Sequence, residues 1–138
     1  MYLIIDPNIV ISALIRKGNV SEIFSLNSIL KKFEFIAPNF LIIELGKHTK
    51  KIMEKTHFSE ELIKEEIEFI LSQITFISDN EYNEKTREAK EILKEHEKDV
   101  PYLALALAFN CNIFSGDKVL KSLIPDKVKT PREVLEEF

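Results

Sequence analysis

Cysteine and glycine are scarce in this sequence, and their scarcity excludes several kinds of site. A single cysteine, Cys111, cannot form an internal disulfide, and no Cys/His zinc pattern is present. With three glycines, the chain has no glycine-rich phosphate loop. No apolar run reaches the roughly 18 residues that span a bilayer, and the chain does not open on a basic segment followed by a long apolar one. We therefore expect a cytoplasmic protein with no membrane partner.

The length and charge of the chain limit what it can be. Its 138 residues predict one domain, residues 1–138, and a hydrophobic content of 45% predicts a substantial core. The 23 acids exceed the 19 lysines and arginines, so the formal net charge is −4. The protein as a whole therefore does not attract nucleic acid, and only a local basic surface or bound cations would do so.

Short apolar runs alternate with helical patterns along the chain. The apolar runs predict strands at residues 2–5, 33–37, 74–77, 112–115 and near 128. Helical patterns cover residues 8–15, 20–30, 39–56, 59–72, 80–97, 99–110, 119–123 and the segment from 131, with residues 39 and 59 as N-caps. This alternation predicts an α/β fold with a parallel sheet covered on both faces. In such sheets, ligand sites lie beyond the carboxyl ends of strands, where the strand order reverses.

Four acids stand apart from the many that occupy polar helix faces. Asp6 lies directly after the first predicted strand, and Asp117 follows the fourth. Glu44 is surrounded by apolar residues in FLIIELG, and Asp99 precedes the apolar helix VPYLALALAF. An ionised carboxylate beside apolar packing is costly unless it is paired or bound to a metal. These positions are therefore candidates for a functional site.

Each of the four acids also has an ordinary explanation when it is considered alone. Asp6 and Asp99 can cap the helices that follow them. Asp117 can be a turn residue in Ser-Gly-Asp-Lys, and Glu44 can point outward from a narrow polar strip of its helix. These alternatives remain open at the level of sequence.

A cluster of these carboxylates would explain all four positions at once. Two carboxylates about 4 Å apart repel by roughly 4 kcal/mol at an effective dielectric of about 20. Because the net stability of a domain is only about 5–15 kcal/mol, such a cluster persists by binding cations or by protonating some members. Ligands that are all oxygen suit Mg²⁺ or Mn²⁺ better than zinc.

Two stretches carry a resemblance to a known family. DPNIVISALI near the start and DVPYLALALAFNCNIFSGDKVL near the end, with Glu44 in the helix after the second strand, resemble the PIN-domain family over residues 6 to about 132. The resemblance implies an α/β/α sandwich with a five-stranded parallel sheet in the order 3-2-1-4-5. It also implies a Mg²⁺- or Mn²⁺-dependent endoribonuclease acting on single-stranded or structured RNA. Many small members are toxins of type II toxin–antitoxin pairs, so an antitoxin partner and a homodimer are further expectations.

The resemblance assigns roles to individual residues. It implies that four acids carry the catalysis and bind the metal: Asp6, Glu44, Asp99 and Asp117. Asn8 matches the polar residue of the opening motif, and Ser115 matches the hydroxyl residue two positions before the last acid, so both are expected to orient the carboxylates. The sequence departs from the family pattern at Pro7, where Thr or Ser is common, and at Val119, where many relatives have a further acid.

A basic stripe would help RNA to reach an acidic pocket. The helix of Glu44 has basic residues three, four and seven positions further on, which share its face: Lys47, His48 and Lys51. Further basic residues are predicted at the rim: Arg16, Lys17, Lys118 and Lys121. A solvated lysine-rich face is the alternative for each of them.

Two other classes of function remain possible from the sequence. A PIN fold with an inactive site would be an interaction module. A Mg²⁺-dependent phosphotransfer domain also has an Asp after its first strand, but the phosphatase motif Asp-x-Asp is absent because position 8 is Asn8. A receiver domain would need a phosphoacceptor after the third strand, where Asp79 lies.

Overall fold

The computed structural model describes residues 1–16 and 18–138, and Lys17 lies outside the described residues. The strands are Tyr2–Ile5 (β1), Glu34–Pro38 (β2), Ile74–Ile77 (β3), Asn112–Phe114 (β4) and Val128–Lys129 (β5). The helices are Pro7–Ile15 (α1), Asn19–Leu30 (α2), Phe40–Thr56 (α3), Glu60–Leu71 (α4), Thr86–Leu93 (α5), Val100–Phe109 (α6), Lys118–Leu123 (α7) and Pro131–Glu136 (α8). Short 3₁₀ turns cover Asp79–Glu81, Asn83–Lys85, Glu97–Asp99 and Pro125–Lys127.

All strand pairs in the sheet are parallel, and the strand order is β3-β2-β1-β4-β5. Strand β1 lies at the centre, with Leu3 beside Phe35 of β2 and beside Asn112 of β4. The predicted order 3-2-1-4-5 is confirmed. The chain moves outward in one direction from β1 to β3 and in the other direction from β4 to β5, so the order reverses between β1 and β4.

The sheet is apolar on both faces because helices cover both. Successive residues of β1 point to opposite faces, and Leu3 and Ile5 belong to one buried cluster while Ile4 belongs to the other. The first cluster contains side chains of α1, α2, α3, α4 and α8, and the second contains side chains of α5, α6 and α7. This arrangement is the predicted three-layer α/β/α sandwich.

One predicted helix is much shorter in the structure. The pattern at residues 80–97 predicts a continuous helix, but only Thr86–Leu93 is α-helical. Two 3₁₀ turns precede it, where Tyr82 Oη donates to Asp79 Oδ1 over 2.8 Å. At the other end, Lys94 has a φ of 53°, which stops the helix.

Two smaller predictions concern caps. Ser59 caps α4 as predicted, since its side chain accepts from the Leu62 N–H. Asn39 does not cap α3, because its backbone is already helical at φ −55° and ψ −25° and its side chain makes no capping bond. An N-cap requires an extended backbone at that position, and Asn39 lacks one.

In the part of the chain that the structure describes, no helix combines the length and apolar character needed to cross a bilayer.

Candidate active site

A cavity of about 290 Å³ lies beyond the carboxyl ends of β1 and β4, where the strand order reverses. Its lining contains the four acids singled out in the sequence: Asp6, Glu44, Asp99 and Asp117. They come from four separate segments of the chain, and the fold brings them to one place. Larger cavities of about 600, 520 and 370 Å³ are lined by none of these four acids. A further one, of about 400 Å³, is lined by Asp99 together with His96 and Lys98.

Asp6 lies at the end of β1 and is the N-cap of α1. Its Oδ1 accepts from the Asn8 N–H over 3.1 Å, and its Oδ2 accepts from the Ser115 hydroxyl in a short hydrogen bond. The side chain is 6% exposed. Burial raises the pKa of Asp6, the negative charge of Asp117 adds to this effect, and the hydrogen bonds from Ser115 and Asn8 oppose it. The capping explanation is therefore correct, and it holds this carboxylate in the cavity wall.

Ser115 joins the two strand ends. Its hydroxyl donates to Asp6 and accepts from the Asp117 N–H over 3.1 Å. Asp117 in turn caps α7, with its Oδ1 accepting from the backbone N–H groups of Val119 and Leu120 at 2.8 and 3.2 Å. The fully buried Ser115 side chain thus sets the positions of both flanking acids.

Glu44 is buried, so the alternative that it points outward from its helix is wrong. It is 6% exposed and faces the cavity from α3, whereas its neighbours Ile42 and Ile43 are 53% and 59% exposed. The helix period accounts for this reversal, because the buried face of α3 includes Leu41 and Leu45 on either side of Glu44. Lys47 Nζ lies 3.5 Å from Glu44 Oε1.

Asp99 ends the 3₁₀ turn that precedes α6, and its side chain makes no capping hydrogen bond. Burial raises the pKa of Asp99 to about 6, and the negative charges of Asp6 and Asp117 contribute to this rise. His96 acts in the opposite direction and lowers the pKa of Asp99. The carboxylates of this cavity therefore interact electrostatically.

The basic residues predicted to contact nucleic acid do not all reach the cavity. Among the described basic residues, His48 lines the cavity. The Nζ of Lys47 lies 3.5 Å from Oε1 of Glu44, which also lines the cavity. Lys51 and Lys118 are exposed but are not part of the lining. Arg16 follows the C-terminal end of α1, about 14 Å along the helix from the end that holds Asp6, and it lines a separate cavity.

Lys121 is not free at the rim, contrary to expectation. Its Nζ donates to the Val128 carbonyl over 2.7 Å and lies 3.1 Å from Glu133 Oε1. These bonds tie α7 to β5 and α8. Lys121 is therefore a structural residue.

Comparisons with known proteins give the family and the fold. The family model described as "PIN domain" matches residues 4–136. The chain belongs to the PIN-domain family. A crystal structure of VapBC2 from Rickettsia felis, bound to a DNA fragment from their promoter, superposes with a TM-score of 0.72 at 15% identity, covering 94% of this chain and 98% of that one. PAE2754 from Pyrobaculum aerophilum superposes with a TM-score of 0.70 at 15% identity, covering 99% of this chain and 87% of that one. No curated protein sequence matches.

PIN domains are in general nucleases that use divalent metal ions, and the donors in this cavity suit such an ion in kind. Four carboxylates offer hard oxygen ligands, as Mg²⁺ and Mn²⁺ prefer. Across residues 1–16 and 18–138, however, no three His, Cys, Asp or Glu side chains lie close enough together to hold an ion. The cavity thus has the right donor set, and the carboxylates would have to move closer to coordinate a metal.

Two residues of this PIN domain's cavity were missed in the sequence. Lys98 and Tyr102 both line it. Tyr102 lies three residues after Asp99, a spacing that places both on one side of the chain as it enters α6. Lys98 adjoins Asp99 in a sequence rich in charges, where nothing distinguishes it from a solvated surface residue.

Proposed function

We propose that this PIN domain is a metal-dependent endoribonuclease that hydrolyses phosphodiester bonds in RNA. The observation that carries the proposal is the convergence of Asp6, Glu44, Asp99 and Asp117 on one cavity. Buried or half-buried carboxylates repel one another, and the raised pKa of Asp99 is a consequence of that environment. The repulsion between these acids lowers the stability of the fold, and a bound cation would reduce that repulsion.

The acids have distinct roles in this proposal. Asp6, Asp99 and Asp117 would hold one Mg²⁺ or Mn²⁺, and Glu44 would hold a second ion or orient a water. A divalent ion in such a site lowers the pKa of a water and stabilises the charge that develops on the phosphate. In-line attack of water on the phosphorus would break its bond to the 3′ oxygen, which takes up a proton, and would leave a 5′-phosphate and a 3′-hydroxyl.

The hydrogen bonds around Asp6 support an orienting role for its neighbours. Ser115 donates to one carboxylate oxygen of Asp6, and the Asn8 N–H donates to the other. Groups that fix a metal-binding carboxylate in this way commonly change metal affinity when they are removed. The backbone of Asn8 makes this contact, so substitutions of its exposed side chain are expected to have smaller effects than substitutions of Ser115.

RNA would approach over the basic side of α3. His48 lines the cavity, Lys47 is 3.5 Å from Glu44, and Lys51 continues the same exposed helix face. Lys118 follows Asp117 directly and extends the positive charge on the other side of that acid. Arg16 lines another cavity and would contact only a longer RNA.

The direct test is cleavage of a panel of single-stranded and structured RNAs in Mg²⁺, in Mn²⁺ and with a chelator. We expect cleavage that requires the metal and is lost in Asp6→Asn. Asp126→Asn is the matched control, because Asp126 is exposed and does not line the cavity. Folded wild-type protein that binds RNA without cleaving any member of the panel would instead indicate an interaction module.

We further propose that the protein is the toxin of a toxin–antitoxin pair and forms a homodimer. The proposal is supported by the family and by the fold that the chain shares with VapBC2. A short neighbouring reading frame with a DNA-binding N-terminus, whose product co-purifies with this chain and suppresses its activity, would support it. A lone gene whose expression does not harm growth would oppose it.

The phosphotransfer alternative has less support. Asp79 is exposed, does not line the acidic cavity, and accepts a hydrogen bond from Tyr82. A phosphoacceptor needs to lie beside the acids that bind Mg²⁺, and Asp79 does not.

A further inference from the structure

The Tyr102 hydroxyl is a polar group for which the fold itself supplies no partner. Tyr102 lies on α6 and is 3% exposed, yet it is part of the lining of the acidic cavity. Its Oη is buried and forms no hydrogen bond with any described residue. Buried hydroxyls almost always have a partner, because burying one without a partner is costly. The orphaned hydroxyl therefore indicates a ligand. Because its oxygen has almost no accessible surface, an acceptor reaches it only when side chains of the lining shift, as the carboxylates would on coordinating a metal.

The position of this hydroxyl is set by the packing of its ring. Tyr102 belongs to the buried cluster on the α6 side of the sheet, and its ring packs on Phe40 with centroids 6.4 Å apart and planes tilted by 60°. Neighbouring positions 103–106 are all buried as well. The ring is thus held by apolar contacts, and no hydrogen bond of the hydroxyl is needed to position it.

The surroundings of Tyr102 decide what kind of ligand it can bind. Burial raises its pKa, and the negative charges of Asp6, Glu44 and Asp99 raise it further. The hydroxyl therefore stays protonated and is a hydrogen-bond donor. Its complement is an acceptor that enters the cavity, since none of these three carboxylates accepts from it in the structure.

We propose that Tyr102 binds the substrate by donating a hydrogen bond from Oη to a non-bridging phosphate oxygen of the RNA strand. This inference rests on the proposed ribonuclease function and identifies a further substrate-binding residue for it. A neutral donor suits this position better than a lysine. An ammonium among three carboxylates would pair with them and compete with the metal ion, whereas a hydroxyl can contact phosphate without displacing a cation.

Tyr102→Phe tests the proposal without disturbing the ring packing. Because hydrogen bonds to charged groups are strong, we expect kcat/KM for RNA cleavage to fall about 10- to 100-fold. We expect a similar loss of affinity for a fluorescein-labelled single-stranded RNA oligonucleotide in Ca²⁺, a measurement that does not require cleavage. Tyr82→Phe is the matched control, because its hydroxyl is also on a buried residue but donates to Asp79, outside the cavity.

A second measurement identifies the atom that Tyr102 contacts. Sulfur is a weaker hydrogen-bond acceptor than oxygen, so replacing a non-bridging phosphate oxygen by sulfur weakens any hydrogen bond to that position. We compare the cleavage of each phosphorothioate diastereomer by the wild type with its cleavage by Tyr102→Phe. If Tyr102 contacts one non-bridging oxygen, the cost of sulfur at that oxygen shrinks to about 2-fold or less in the variant, while the cost at the other oxygen is unchanged. Equal sulfur effects in both proteins at both positions would refute the contact.

The stability of the variants provides an independent check. Tyr102→Phe removes an unpaired buried hydroxyl and should leave the melting temperature unchanged or raise it, whereas Tyr82→Phe should lower it. A lower melting temperature for Tyr102→Phe would show that its hydroxyl has an internal partner and would overturn the proposal. Cleavage and binding within about 2-fold of wild type would also overturn it and leave the ribonuclease function intact. A wild type that neither binds nor cleaves RNA would overturn the ribonuclease function first.

Discussion

Replacing Asp99 by asparagine should stabilise the metal-free protein while removing one ligand of the proposed metal site. Asp99 is partly buried beside Asp6 and Asp117. In the absence of a cation the folded state holds these charges together, and the unfolded chain separates them. The Asp99→Asn substitution keeps the shape of the side chain and removes one charge from the cluster. If the variant is more stable than the wild type, the acid at position 99 lowers the stability of the folded state. This is expected of a residue that serves function at the expense of stability.

The magnitude follows from the pKa of Asp99. Burial and the neighbouring carboxylates raise it to about 6, compared with about 3.9 for an unperturbed Asp. Each pKa unit corresponds to about 1.4 kcal/mol, so the ionised form costs at most about 3 kcal/mol at neutral pH. Asp99 retains contact with water, which screens the repulsion, and the new amide must itself be buried. We therefore expect a gain of about 1–2 kcal/mol, or about 3–8 °C in melting temperature.

The pH dependence of this gain has a definite sign. A carboxyl whose pKa is raised by folding costs almost nothing below its unfolded pKa. Its cost to folding grows as the pH rises from the unfolded to the folded value and is constant above that. The advantage of Asp99→Asn should therefore be largest above about pH 7 and roughly a third of that value near about pH 4.5. Thermal unfolding in EDTA at these two pH values measures it, and added Mn²⁺ should stabilise the wild type more than the variant.

Two results would refute this reasoning. One is a variant that is less stable than wild type near neutral pH without metal. The other is an advantage of the same size at both pH values, which would point to packing and not to charge. Asp126→Asn, at an exposed acid outside the cavity, is the control and should change stability little at either pH.

Two further predictions concern the surroundings of the acids. Ser115→Ala removes the hydrogen bonds to Asp6 and Asp117, and we expect Mn²⁺ affinity from calorimetry to fall about 10- to 100-fold. Lys47→Ala and Lys51→Ala should weaken RNA binding, which fluorescence anisotropy measures. Each should also reduce the magnitude of the slope of log affinity against log salt concentration by about 1, the value for one lost phosphate contact.

Matched controls separate these effects from general damage. For Ser115→Ala, an unchanged far-ultraviolet spectrum should accompany the loss of metal affinity, and unchanged affinity would contradict the orienting role. For the lysines, Lys90→Ala changes an equally exposed charge on α5. If it weakens RNA binding as much as Lys47→Ala does, the interaction is nonspecific and α3 is not the approach path.

Local patterns in the sequence predicted most of the fold. The apolar runs at β1, β3 and β4 are short and bounded by polar or turn residues, and each was predicted to within one residue. The helix at residues 80–97 was overestimated because periodicity does not reveal the 3₁₀ turns or the positive φ of Lys94. Apolar character alone also does not identify the core, since Phe58 and Phe69 are 46% and 44% exposed.

The candidate site was found from acids whose sequence neighbours are apolar. This signal identifies Asp6 and Glu44, which are buried, and it also marks Asp99 and Asp117, which are half-buried. It does not identify Tyr102, since a tyrosine in an apolar helix is ordinary until its hydroxyl is seen to have no partner. Nor does it separate Lys121, bonded to β5 and α8, from a lysine available to RNA.

The order of residues in this chain was enough to establish the alternation of strands and helices, and with it the class of fold, because periodicity and strand length are local properties. Which side chains share the cavity depends on contacts between residues as distant as 6 and 115, and local preferences do not encode such contacts. The tertiary packing turns Glu44 inward and places Arg16 at the end of α1 that is remote from the cavity. It also leaves the hydroxyl of Tyr102 beside the acids without a hydrogen-bond partner.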